Sequence, residues 1–318
     1  MKKVSILIPV YNVRLYLQKC LDSVIAQTYS DLQVVLIDDG STDDSWRICQ
    51  QYAEKDSRLE VYHQDNCGVA TTRNRLLEKI KGDYVLFVDA DDWIEPDMVQ
   101  YLVGLANEYQ AEVVMCDRLI NDEVPVVTNP SIKILSQEKA IDDFLHHDYF
   151  VGSLWNKLIK MSLLHNEQFH RGISYGEDAL FCWHLLQKVG KVVVTNKQLY
   201  HYRMNNESIS HQTFGAKKLT GHLTWTLISD DVIAKWPQFT NLAKGTFARS
   251  DMYLLFQASQ GDYPKDEHIK ELQRNLRRNY KYLFPLIKHD IKSLIMSICE
   301  MFWYGYGRFY YKLHQYKS

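Results

Sequence analysis

Over its first 120 residues the chain alternates short β-branched apolar runs with longer stretches of helical periodicity, and this alternation constrains the fold most tightly. Residues 4–10, 33–37, 60–63, 83–88 and 113–117 read as strands. Between them, residues 15–27, 43–55, 69–80 and 96–109 read as helices, the first with Leu17, Leu21, Val24 and Ile25 on one face. Continuous apolar runs separated by helices predict a parallel sheet covered on both sides. Right-handed crossovers then bring the C-terminal strand ends to one edge, where open α/β sheets bind their ligands. Ser41 or Thr42 is the expected cap of the second helix.

Downstream the pattern loosens. Residues 121–130 form a Pro-containing loop, a helix is expected near 137–145, and a Gly-Glu-Asp helix start at 176–178 precedes a β-rich stretch at 192–203. From about residue 212 onward the periodicity is helical. The six cysteines are scattered, with no CxxC or Cys/His spacing, which predicts reduced and mostly buried thiols in a cytoplasmic protein. The basic N-terminus meets Pro9 and Asn12 before an apolar leader core could form, and no run approaches the ~18 apolar residues of a membrane span. A net charge of -2 gives no reason to expect nucleic-acid binding.

The chemistry is expected where strands end. The fourth strand runs into Asp89-Ala90-Asp91-Asp92. Clustered carboxylates repel one another unless a cation neutralises them, and a divalent ion shared with two phosphates needs only one or two protein carboxylates. The plainer reading is a set of caps for the next helix, a role open to Asp92 in particular. The second strand ends in Asp38-Asp39-Gly40-Ser41, whose acids could accept hydrogen bonds from a base or from ribose hydroxyls, or could simply shape a turn. Tyr11, after the first strand, could stack on a base. Arg73 lies one turn into the third helix, where it could neutralise phosphate charge or pair with an aspartate.

Residues 5–12, 36–45, 66–74 and 87–93 together resemble, in order and spacing, the four blocks of glycosyltransferase family 2, bacterial-type inverting enzymes with the GT-A fold. The resemblance implies an α/β, Rossmann-like, mainly parallel sheet flanked by helices, with a helical C-terminal extension. It implies that Pro9, Tyr11, Asp39 and Arg73 contact the nucleotide, with Asp38 beside them. Asp89-Ala90-Asp91 matches the family's DxD motif, making Asp91 the direct ligand of Mn²⁺ or Mg²⁺ and Asp89 its partner nearer the ribose and sugar. One departure is visible: Arg75-Leu76 stands where the family usually has a small residue and glycine, a change expected to affect helix packing.

Tyr175-Gly176-Glu177-Asp178 resembles the family's ED motif, which would make Asp178 the general base and Glu177 the fallback; simple helix capping is the alternative. Trp155 and Lys157 would offer an aromatic platform and a cation, Arg203 would meet the diphosphate, and His201 or His211 could ligate the metal. The implied layout is a catalytic domain over residues 1–211, divided into a nucleotide-binding half (1–120) and an acceptor half (121–211), followed by a helical region over 212–318. The expected reaction moves a sugar from a UDP-sugar to a hydroxyl of a glycan, lipid-linked or protein-linked acceptor. Basic residues mixed with aromatics over 274–317 suggest peripheral contact with the inner face of the cell membrane, or a helical bundle or homodimer contact. Of the rivals, a nucleotidyltransferase would carry a glycine-rich loop after its first strand, which this chain lacks. A non-catalytic sugar-nucleotide-binding or scaffold subunit should have lost some of Asp39, Asp89, Asp91 and Asp178.

Overall fold

The computed structural model of the chain describes residues 2–148, 150–204 and 214–315. His211 therefore lies outside the described residues. In chain order the elements are β1 (Val4–Val10), α1 (Leu17–Ile25), β2 (Leu32–Asp38), α2 (Ser45–Lys55), β3 (Leu59–His63) and α3 (Val69–Leu77). They continue with β4 (Tyr84–Phe87), β5 (Trp93–Ile94), α4 (Met98–Tyr109), β6 (Val113–Ile120), β7 (Ile132–Ser136), α5 (Gln137–His146), β8 (Lys157–Lys160), α6 (Glu177–Leu186) and β9 (Lys191–Tyr202). The C-terminal helices are α7 (Ala216–Lys235), α8 (Thr240–Gln260), α9 (Glu267–Ile287), α10 (Ile291–Phe302) and α11 (Tyr306–Gln315).

Two compact units result. The first comprises Met1–Ile141, Tyr149–Arg171 and Phe181–Asn205; the second comprises Asp142–Asp148, Gly172–Leu180 and Asn206–Ser318. In the first, the strands form one sheet in the order β3-β2-β1-β4-β8-β6-β9-β5, with β7 also paired to β9. β1 runs parallel to β2 and β4, and β2 parallel to β3. β1 and β2 are buried almost end to end, as strands covered on both faces must be. The sheet is nonetheless mixed. β8 is antiparallel to β4 and β6, and β5 and β7 are antiparallel to β9. A strand buried on both faces carries the same apolar pattern in either direction, so its residues alone do not reveal its orientation.

Under the sheet, Leu17, Cys20, Leu21 and Val24 of α1 and Val99, Leu102 and Val103 of α4 pack with β1 and β2 in one core. Leu76, at the position that departs from the family pattern, is fully buried. The cap of α2 differs from expectation. Asp44 occupies the cap position, and Asp43 accepts from the Ser45 and Arg14 amides at 2.9 and 3.0 Å. Ser41 Oγ instead accepts from the Asn12 amide at 3.0 Å, and the Thr42 amide donates to Asn12 Oδ1 at 2.8 Å. The left-handed Gly40 (φ +72) turns these residues toward the end of β1 rather than toward the helix. No two of the six cysteines form a disulfide, and four of them are buried.

The second unit has its own core, in which Met252 and Leu255 of α8, Leu272, Leu276 and Leu283 of α9 and Met296 of α10 meet. Among the described residues no helix is long and apolar enough to cross a membrane.

Candidate active site

β4 is paired on both sides and delivers Asp89, Asp91 and Asp92 within the five residues after its end. The three acids fare differently. Asp92 is buried, with Oδ2 accepting from the Tyr200 hydroxyl at 2.7 Å and Oδ1 from the Arg203 amide at 2.7 Å. Burial, and then the charges of Asp89 and Asp91, push its carboxyl up to about 9. It does not cap the next helix, whose cap position is held by Asp97. Asp89 and Asp91 remain partly exposed. Asp89 pairs with the largely buried Arg73 at 3.3 Å, and the Asp89 amide donates to the Tyr200 hydroxyl at 3.1 Å. The Asp91 carbonyl accepts from Arg203 Nε at 2.8 Å, and the Arg203 guanidinium lies against the rings of Tyr16 and Trp93, 4.7 and 4.8 Å from their centres.

The end of β2 faces the loop before α3. Asp39 accepts from the Cys67 and Gly68 amides, each at 2.9 Å, and from Gln64 Nε2 at 2.7 Å. Burial opposes its charge, but these hydrogen bonds outweigh burial and hold the carboxyl below its ordinary value. Asp39 Oδ2 carries one of these bonds, leaving it room for a further donor. Asp38 is fully enclosed and pairs with His63 Nδ1 at 2.7 Å, so it turns to the β3 side rather than outward. Tyr11, by contrast, is 49% exposed, and Pro9 lies one pair along the ladder from the Val10–Asp38 register.

A family model described as glycosyl transferase family 2 matches residues 5–169, which contain both strand-end clusters. The chain belongs to glycosyltransferase family 2. It is similar to glycosyltransferase GlyA of Streptococcus pneumoniae serotype 4, at 36% identity over 225 residues, covering 65% of this chain and 31% of GlyA. The match therefore spans about a third of that relative's length. In fold it resembles S. aureus TarS solved with UDP-GlcNAc, with a TM-score of 0.70 at 18% identity over 98% of this chain and 92% of the other. It also resembles a mannosyltransferase, PcManGT of Pyrobaculum calidifontis, solved with GDP-Man and Mn²⁺, with a TM-score of 0.58 at 14% identity over 95% of this chain and 87% of the other.

Several residues expected at the site are engaged elsewhere. Lys157 is fully buried, with Nζ on the Ser153 carbonyl and 2.9 Å from Asn156 Oδ1, so its ammonium holds its own loop rather than reaching for phosphate. Trp155 is partly buried and stacks on Tyr200, 4.6 Å between ring centres. His201 is buried against Trp93, with Nε2 2.6 Å from Glu95 and Nδ1 3.0 Å from the Asn121 carbonyl. With both nitrogens so placed it has none to offer a metal, and the ligand role expected for it is corrected to a structural one. Glu177 and Asp178 open α6 immediately after the left-handed Gly176 (φ +87) and belong to the second unit. Asp178 Oδ1 lies 2.8 Å from the amide of Ala179.

Residue-by-residue reading missed Tyr200, Tyr16 and His63. Tyr200 stands inside the β-rich stretch 192–203, but nothing in its neighbours marks it as the buried residue that reaches Asp92. A shallow cavity bounded by Lys2, Asp83, Gln100 and Asn107 lies at the opposite, N-terminal end of β1 and β4 and holds none of these groups.

Proposed function

We propose that this glycosyltransferase moves a sugar from a UDP-sugar to a hydroxyl of a glycan, lipid-linked or protein-linked acceptor by inverting displacement. The observation that carries the reading is the acidic turn after β4, which leaves Asp89 and Asp91 partly exposed while Asp92 is enclosed. That donor set fits a hard divalent ion. Burial first, and then the neighbouring charges of Asp89 and Asp91, push Asp92 up to about 9, so a cation at the turn would relieve the part of that cost that comes from repulsion.

On this reading Asp91, with Asp89, holds Mn²⁺ or Mg²⁺, which when bound supplies neutralisation of the diphosphate's charge. Asp39 accepts from the nucleotide, Tyr11 covers its base, and Arg73 keeps Asp89 oriented. Asp178 is the base. The acceptor oxygen forms its bond to the anomeric carbon as the bond from that carbon to the phosphate oxygen breaks. UDP leaves with the electron pair, and the acceptor proton passes to Asp178. The UDP preference is supported by the TarS neighbour, which was solved with UDP and with UDP-GlcNAc.

The test is a panel of nucleotide sugars incubated with the protein and Mn²⁺, reading release of free nucleotide. Release should occur with a UDP-sugar and vanish with EDTA or Asp91→Ala. Asp178→Asn should lower transfer by about 10²–10⁴-fold while leaving UDP binding within a few-fold. No release from any nucleotide sugar, or full activity in Asp178→Asn, overturns the respective assignment.

A further inference from the structure

Of the large apolar side chains exposed on the second unit, the largest group on a single helix lies on α10. On α10, Ile291, Ile295, Ile298 and Phe302 are 45–73% exposed and follow the spacing i, i+4, i+7, i+11, which keeps them within one narrow arc. Ser293, Met296, Ser297, Glu300 and Met301 fill the opposite arc and are buried. The stripe continues into Trp303 and Phe309, both about half exposed and 5.8 Å apart between ring centres.

The charge along this stretch of chain is predominantly positive. From Arg274 to Tyr310 seven Lys or Arg side chains are exposed, among them Lys281, Lys288 and Lys292, against one exposed acid, Asp290; one of the seven, Arg308, is paired with Asp262. Asp290 is itself occupied as the cap of α10, accepting from the Lys292 and Ser293 amides. An uncovered apolar stripe at helical spacing, ending in tryptophan and bordered by cations, matches an anionic lipid surface in both polarity and charge. A second copy matches it less well, because a two-fold contact would bring the cations of both copies together.

We propose that α10 is an interfacial helix that lays Ile291, Ile295, Ile298 and Phe302 into an anionic bilayer surface, with Trp303 and Phe309 at headgroup depth. At twelve residues it lies in the plane of the surface and does not span it. The proposal is independent of the catalytic reading, because its test needs no turnover.

The experiment is co-sedimentation of the full chain with phosphatidylcholine vesicles with and without phosphatidylglycerol, alongside light scattering in their absence. Wild type should bind the anionic vesicles on the order of tenfold or more tighter than the neutral ones, with the difference shrinking in high salt. Ile295→Ser/Ile298→Ser should lose about tenfold or more in binding while keeping its melting midpoint, since both side chains are exposed. Lys288→Glu/Lys292→Glu should weaken binding to anionic vesicles alone. Equal binding by the Ile295→Ser/Ile298→Ser variant overturns the proposal. So does a wild-type dimer that this variant converts to monomer without any vesicle binding.

Discussion

The Tyr200 hydroxyl joins two members of the acidic turn, donating to Asp92 Oδ2 at 2.7 Å and accepting from the Asp89 amide at 3.1 Å. The phenol and Asp92 are both buried, so Asp92 could not turn to water if the hydroxyl were removed. Tyr200→Phe should therefore lower unfolding stability by roughly 1–3 kcal/mol, read by denaturant titration. An unchanged midpoint would show that this bond contributes nothing net.

The protonation of Asp92 gives a pH signature in metal-free protein. Its folded carboxyl sits at about 9 against an ordinary 3.8. A raised carboxyl contributes its stability fully below the unfolded value and loses it as pH rises from there through the folded value. Asp92→Asn removes that loss. The difference in melting midpoint, variant minus wild type, should therefore grow in the variant's favour from about pH 5 to about pH 9. A flat difference would contradict the protonated state.

Two glycines in the loops proposed to hold the nucleotide separate conformational strain from collision. Gly40 has φ +72, and a Cβ there would sit 2.7 Å from the Asn66 backbone nitrogen; Gly68 has φ +85 with open space around it. Gly68→Ala should carry only the backbone cost of a region (φ +85, ψ +155) essentially reserved for glycine, about 1–3 kcal/mol. Gly40→Ala should lower the melting midpoint further, and should weaken UDP binding by shifting the loop that hydrogen-bonds Asp39. Equal midpoints for the two variants would refute this ordering.

In the helical unit, Glu300 is fully buried, accepts from Ser259 Oγ at 2.9 Å and from the Gly307 amide at 3.2 Å, and is raised by burial from 4.5 to about 7. Its contribution is present below the unfolded value and is lost between about pH 4.5 and about pH 7. Glu300→Gln should match wild type near pH 4.5 and exceed it near pH 8 by up to roughly 3 kcal/mol. The check is a pair of chemical denaturation curves at the two pH values.

Much of the fold could be read in advance for a simple reason. Val4–Val10 and Leu32–Asp38 are apolar on both faces, and the intervening Leu17–Ile25 repeats at helical spacing, so each element declares its own type. The strand at 157–160 was not legible: only Leu158 and Ile159 are apolar between two lysines, and its place antiparallel to β4 is set by tertiary pairing. At the candidate site, the acids after β4 and β2 could be located because a strand's C-terminal end is visible in its residues. The neighbours of His201 and Lys157 could not, because Glu95 and Asn121 meet the former, and a buried carbonyl meets the latter, only after folding.

By itself, then, the sequence determined the alternating architecture, the edge at which its acids collect, and the family to which the chain belongs. These depend on local periodicity and on blocks of adjacent residues. Tertiary structure alone decided how the three acids of one turn divide. Tyr200 lies 108 residues beyond Asp92, and Arg203 lies 111 beyond it. Only the placement of β9 brings both to the turn, enclosing Asp92 as a proton-bearing group while Asp89 and Asp91 stay partly open. Burial sets that difference, and burial is a property of distant chain segments meeting rather than of any residue's neighbours in sequence.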